Sequence, residues 1–116
     1  MTKLQNHLIG VDNGDVVVFS DFDSDGPMWA GQGPRLVRHA VQFGATYRNP
    51  PSVNVWVTML DASDKTFTRV DVQAEEITEK GFDITFRTWG DTKIARARVG
   101  WQSIGELFHD DDWDLY

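Results

Sequence analysis

The stretch Gly81-Phe-Asp-Ile-Thr-Phe-Arg-Thr-Trp-Gly-Asp-Thr-Lys93, followed after Ile94 by Ala95-Arg-Ala-Arg-Val-Gly-Trp101, decides the fold class. Phe82, Ile84 and Phe86 alternate with Asp83, Thr85 and Arg87. A period of two marks a strand with one face covered and the other wet. Ala95, Ala97, Val99 and Trp101 alternate with Ile94, Arg96, Arg98 and Gly100 in the same way. The expected arrangement is a β-hairpin, its two strands joined by the polar turn Trp89-Gly-Asp-Thr-Lys93.

Working outward from this hairpin, the same signal recurs. Val70, Val72 and Ala74 alternate with Arg69, Asp71 and Gln73 as strand four, after the turn cluster Asp61-Ala-Ser-Asp-Lys-Thr66. Val53–Leu60 is β-branched on one face and carries Trp56 and Leu60 on the other, so it is expected to be covered on both sides. Asn49-Pro50-Pro51 forces an extended turn before it. Val37, His39, Val41 and Phe43 form strand two, and Asp15–Ser20 forms strand one after an Asp12-Asn13-Gly14 turn signal. Between them, Asp21 to Arg35 holds Gly26, Pro27, Gly31, Gly33 and Pro34 and reads as a long loop, a length usually kept for function. Nowhere does a 3.6-residue apolar pattern persist. The chain therefore reads as all-β, a six-stranded antiparallel β-sandwich spanning 15–105. Residues 1–14 form an N-terminal segment, and 106–116 an acidic tail that is either solvated or docked through Trp113 and Leu115.

Composition bounds the function. At 116 residues, 41% hydrophobic and 25% charged, the chain suits one globular domain. No apolar run approaches the roughly 20 residues of a membrane span, and the first residues lack the apolar core of a signal peptide. Without cysteine there is no disulfide framework, thiolate nucleophile or Cys-ligated metal. A net charge of −7 argues against nucleic acid, whose affinity comes largely from clustered Lys and Arg.

The candidate sites are few. Asp21-Phe-Asp-Ser-Asp-Gly26 matches the first half of a calcium loop, but Pro27 and Gln32 fall at its seventh and twelfth positions, and an acidic turn is the expected reading. His7, His39 and His109 are too far apart in sequence to suggest ligand spacing, and no serine sits on a nucleophile turn. Paired carboxylates for glycoside hydrolysis single out no pair. Trp56 and Trp101 read as core. Trp29 and Trp89, in a loop and at a strand end, are costly to expose unless they meet a ligand or a neighbouring subunit. Beside Trp89, a flexible glycine and three hydrogen-bonding side chains give the combination a pyranose needs: an apolar face to stack on and partners for its hydroxyls. Arg69 offers a planar donor fork suited to vicinal hydroxyls or a carboxylate, with a surface salt bridge as the alternative.

From Val41 to Gly105 the chain resembles the H-type lectin domain, the invertebrate agglutinin and discoidin family. The matching pieces are Phe43, Tyr47 with Pro50-Pro51-Ser-Val53, Leu60-Asp61, Arg69-Val70, Gly81-Phe82, Thr88-Trp89-Gly-Asp-Thr-Lys93 and Trp101-Gln-Ser-Ile104. The lead-in Met28-Trp29-Ala-Gly-Gln-Gly-Pro-Arg35 is similar to short stand-alone bacterial members. The resemblance implies a sandwich that assembles as a trimer, or as a hexamer of two trimers. It also implies binding of galactose-type sugars, notably N-acetylgalactosamine, between protomers, without a cofactor or metal and without enzymatic activity. Carried over by position, the sugar-binding arginine falls on Arg69 and the turn tryptophan on Trp89. Gly90 stands where a snail agglutinin has a sugar-contacting histidine, Gln32 where the family has an acidic ligand, and Asp91 completes the set. A structural or attachment protein, for example a component of a phage-like fibre or particle, is the alternative. With no signal peptide seen, release as part of such a particle is one route out of the cell.

Overall fold

A computed structural model describes residues 1–5 and 7–108 of the chain. It contains β1 (Ile9–Ser20), a short helix α1 (Pro27–Ala30), β2 (Arg35–Gln42), β3 (Ser52–Ala62), β4 (Asp71–Glu75), β5 (Gly81–Thr88) and β6 (Ile94–Glu106). The strands form two antiparallel three-stranded sheets, ordered β1-β6-β3 and β2-β5-β4. This is the expected six-stranded all-β sandwich.

Its connectivity differs from the expected hairpin. β5 and β6 do not pair: β5 lies between β2 and β4, and β6 between β1 and β3. Each is the central strand of its own sheet, so the Trp89–Lys93 turn crosses from one sheet to the other. The alternation shows which side chains face inward; it carries no information about which strand lies alongside. In the interior Phe43 stacks on Phe82 at 5.7 Å, and Trp101 meets Phe82 edge-on at 5.6 Å. Phe19 meets Phe86 edge-on at 5.1 Å, and Ile84, Phe86, Ile94, Val99 and Met28 are fully buried.

Other expectations need correcting. β1 begins at Ile9, and Asp12-Asn13-Gly14 continues the strand instead of turning. Gly14 pairs with Trp101, and a Cβ there would come within 2.9 Å of the Trp101 indole nitrogen, so packing against that ring requires the glycine. The 21–35 loop holds α1, with Met28 wholly buried. Trp101 is core, as expected, but Trp56 is 45% exposed. β3 is an edge strand that turns Val53, Val55 and Val57 inward and is covered on one side only. β6 runs to Glu106, one residue beyond the expected boundary, and the expected contacts of Trp113 and Leu115 lie outside the described residues, as does His109.

Candidate functional site

The turn between β5 and β6 is fastened by side chains buried beneath it. Thr88 Oγ1 donates to the Arg69 carbonyl at 2.6 Å, and Thr92 Oγ1 to the Phe67 carbonyl at 2.7 Å. Both threonines are almost wholly buried, which is tolerable for a hydroxyl only because each has a partner. Together they tie the turn to the segment leading into β4.

Arg35 performs the same task on the other flank. Its guanidinium donates to the carbonyls of Gly33 (2.9 Å), Thr92 (2.8 Å), Gly90 (3.1 Å), Pro27 (3.2 Å) and Met28 (3.3 Å). The Gly33 N–H also donates to the Gly90 carbonyl at 2.9 Å. The loop carrying exposed Gln32 is thereby held against the turn. Sequence reasoning missed Arg35, because an arginine spent on five carbonyls looks like any other arginine until the chain is folded.

Arg69 lies two residues before β4, with its guanidinium over Gly90. Its Nη1 donates to Asp91 Oδ1 at 2.6 Å and to Thr92 Oγ1 at 3.2 Å. The acidic partner is thus Asp91, 22 positions away. The hydrogen bond from Arg69 holds the Asp91 carboxyl below the usual carboxylate range. Gly90 sits at φ +69°, and a Cβ there would come 3.0 Å from Arg69 Nη1. A histidine at this position would both strain the backbone and press on the guanidinium. Glycine lets Arg69 lie directly over the turn.

Trp89 is 45% exposed and borders a shallow groove with Pro34, Arg35, Leu36, Arg87 and Thr88. Neither Arg69, Asp91 nor Gln32 lines that groove. The fold therefore brings Arg69, Gly90 and Asp91 into contact and Gln32 alongside, with the Trp89 groove bordered by other residues. Phe67 is a further aromatic at the site that sequence reasoning missed. It is 77% exposed, and the Arg69 guanidinium lies 5.7 Å from its ring centre. The only signal was an aromatic in the polar run Thr66-Phe67-Thr68.

The Asp21–Gly26 acidic turn has a structural occupation. Asp21 Oδ2 accepts the Met28 N–H at 2.9 Å, and the Asp21 carbonyl accepts the Gly26 N–H at 2.9 Å. One of its three carboxylates is thus spent on the start of α1, while Asp23 and Asp25 are exposed. Among the described residues no three His, Asp or Glu side chains converge as metal ligands.

Comparison with known proteins bears on this geometry. The model of the H-type lectin domain matches residues 38–104. The protein named "ATP synthase subunits region ORF 7" of Fuscovulum blasticum is 46% identical over 107 residues, covering 92% of this chain and 93% of that protein. Discoidin-2 of Dictyostelium discoideum is 35% identical over 66 residues, 56% of this chain but only 26% of its own length. The solved structure of recombinant discoidin II from the same organism superposes with a TM-score of 0.75 at 25% identity, covering 90% of this chain and 39% of that one.

Proposed function

We propose, on the premise that this chain belongs to the H-type lectin domain family, that it is a carbohydrate-binding protein without enzymatic activity whose sugar site is the Arg69–Gly90–Asp91 surface. The single observation that carries this reading is the Arg69 guanidinium, aligned on Asp91 and Thr92 above a glycine that leaves it room. A charged donor fork beside a charged acceptor suits vicinal hydroxyls, since charge-assisted bonds to each are the stronger kind. Gln32 adds an amide on the abutting loop. Galactose-type sugars, including N-acetylgalactosamine, are the proposed ligands.

Trimeric assembly belongs to the same proposal. Both sheets end in open edges, and exposed Trp56, Val11 and Val17 on β3 and β1 are costly in a monomer. Trp89 borders a groove to which Arg69 does not contribute, so a neighbouring protomer set between them would complete one site from two surfaces. Three weak sites on one particle gain avidity through effective concentration.

The test is binding to a glycan array by wild type and by Arg69→Ala, after light scattering has shown the same oligomer for both. Wild type should bind galactose-type glycans, and Arg69→Ala should lose detectable binding. Equal binding by the two would move the sugar elsewhere, and no binding by wild type would favour a scaffold or attachment protein.

A further inference from the structure

A second hollow, about 360 Å³, opens where β1, β3 and β6 meet the loop after β1. Its volume falls within the range of ligand sites, roughly 300–1,000 Å³. Phe22, Trp29, Ala62 and Ala95 supply apolar lining; Asp23, Asp61 and Arg96 supply charge. It contains none of Arg69, Trp89, Gly90 or Asp91.

The aromatic wall is held in place. Phe22 meets Trp29 edge-on at 4.9 Å and is nevertheless 55% exposed. The Lys93 ammonium lies 5.6 Å from the centre of the Trp29 ring. The loop bearing both rings is pinned by the Asp21 N–H to the Ala95 carbonyl at 2.7 Å, by Met28 N–H to the Asp21 carboxylate, and by Arg35 on the carbonyls of Pro27 and Met28. A wall fixed before binding costs less order to use. Opposite it, Arg96 Nε donates to Asp61 Oδ2 at 3.2 Å across the β3–β6 ladder, and both side chains are more than half exposed.

Charge decides the ligand class. Two carboxylates against one guanidinium in the lining disfavour a phosphate, and that guanidinium with nearby Lys93 disfavours a cation. A neutral ring with an apolar face and a rim of hydroxyls meets both halves of the lining. We propose that this hollow is a second saccharide site, taking one pyranose ring against Phe22 and Trp29 with its hydroxyls on Asp61, Arg96 and Asp23. It shares with the reading above only the premise that the ligand is a sugar, and it needs nothing from Arg69.

The experiment is an amide and side-chain nitrogen–proton spectrum of the intact chain, titrated separately with the methyl glycosides of galactose, glucose, mannose and fucose. Trp29→Phe assigns the Trp29 indole signal. With at least one sugar, the Trp29 indole N–H and Arg96 Nε–H should shift saturably, and the shift should persist in Arg69→Ala. Asp61→Asn, at an exposed position, should raise the dissociation constant read from that shift roughly ten-fold or more, as for loss of one charge-assisted bond. Phe22→Ala should raise it as well. Signals unmoved by all four sugars, or a dissociation constant unchanged in Asp61→Asn, would overturn the proposal. So would a shift that vanishes in Arg69→Ala. Failure of the Arg69 surface would appear separately, as Arg69→Ala having no effect on glycan-array binding.

Discussion

Gly33 and Gly90 make a matched pair that isolates how the turn supports Arg69. Both have left-handed backbones, at φ +73° and +69°, and their peptide groups are joined by the Gly33 N–H to Gly90 carbonyl bond. A Cβ on Gly33 would meet nothing within 4 Å; on Gly90 it would press on Arg69 Nη1 at 3.0 Å and Cζ at 3.2 Å. Gly33→Ala should therefore cost only the left-handed penalty of an L-residue, about 1 kcal/mol. That lowers the melting temperature by about 4–8 °C for a domain near this size. Gly90→Ala carries the same backbone cost and also crowds Arg69 Nη1, the donor to both Asp91 and Thr92, so weakening that pair of bonds should add about 1 kcal/mol. It should melt roughly twice as far below wild type, and it should weaken glycan binding where Gly33→Ala does not. In an Arg69→Ala background the excess should vanish, so that Gly90→Ala costs no more than Gly33→Ala, a coupling that a double-mutant cycle reads directly. Equal melting of the two single variants, or an excess that persists without Arg69, would refute the account of Gly90 as the seat of the guanidinium.

Asp21→Ala should lower stability by about 1–2 kcal/mol because the Met28 N–H loses its acceptor, whereas EDTA or millimolar calcium should leave the wild-type melting temperature unchanged; a large calcium-dependent rise would return the loop to a metal role. The hydrogen bond from Arg87 lowers the folded-state pKa of Glu75, so its stabilising effect is present above the unfolded carboxylate value and is lost as pH falls through the lower folded value. Melting curves of wild type and Glu75→Gln should differ at neutral pH and converge in acid, and a difference that grows on acidification would contradict this sign. Light scattering should give a trimer or hexamer at micromolar concentration; a stable monomer would remove both the assembly and the completion of the Trp89 groove by a neighbour.

The sequence was sufficient for the class of fold because its information is local. Phe82, Ile84 and Phe86 on one face of a strand must be covered, and period-two alternation cannot be buried on a helix. The absence of any sustained 3.6-residue pattern left a sandwich as the economical solution, and the motif around Trp89 carried the family. Pairing was not legible, since a central strand and a hairpin strand have the same alternation; only packing decided that β5 and β6 belong to different sheets. Trp56 was misread for a related reason. A large aromatic in a β-branched run fits a strand covered on both faces, but β3 lies at a sheet edge with its outer face open.

At the candidate site, residue types were legible and partnerships were not. Arg69 stood out as a donor fork, yet its partner Asp91 lies 22 residues onward and comes into reach only because Thr88 and Thr92 tie the turn to the segment before β4. Arg35, which joins the Gln32 loop to that turn, is visible only through the five carbonyls it satisfies. Candidate polyol-binding groups and the faces that must be buried were legible in the sequence, because both follow from side-chain chemistry and local period. The tertiary structure alone decided which of those groups meet, because a contact between residues far apart in the chain depends on how the sheets pack, and no local pattern encodes that.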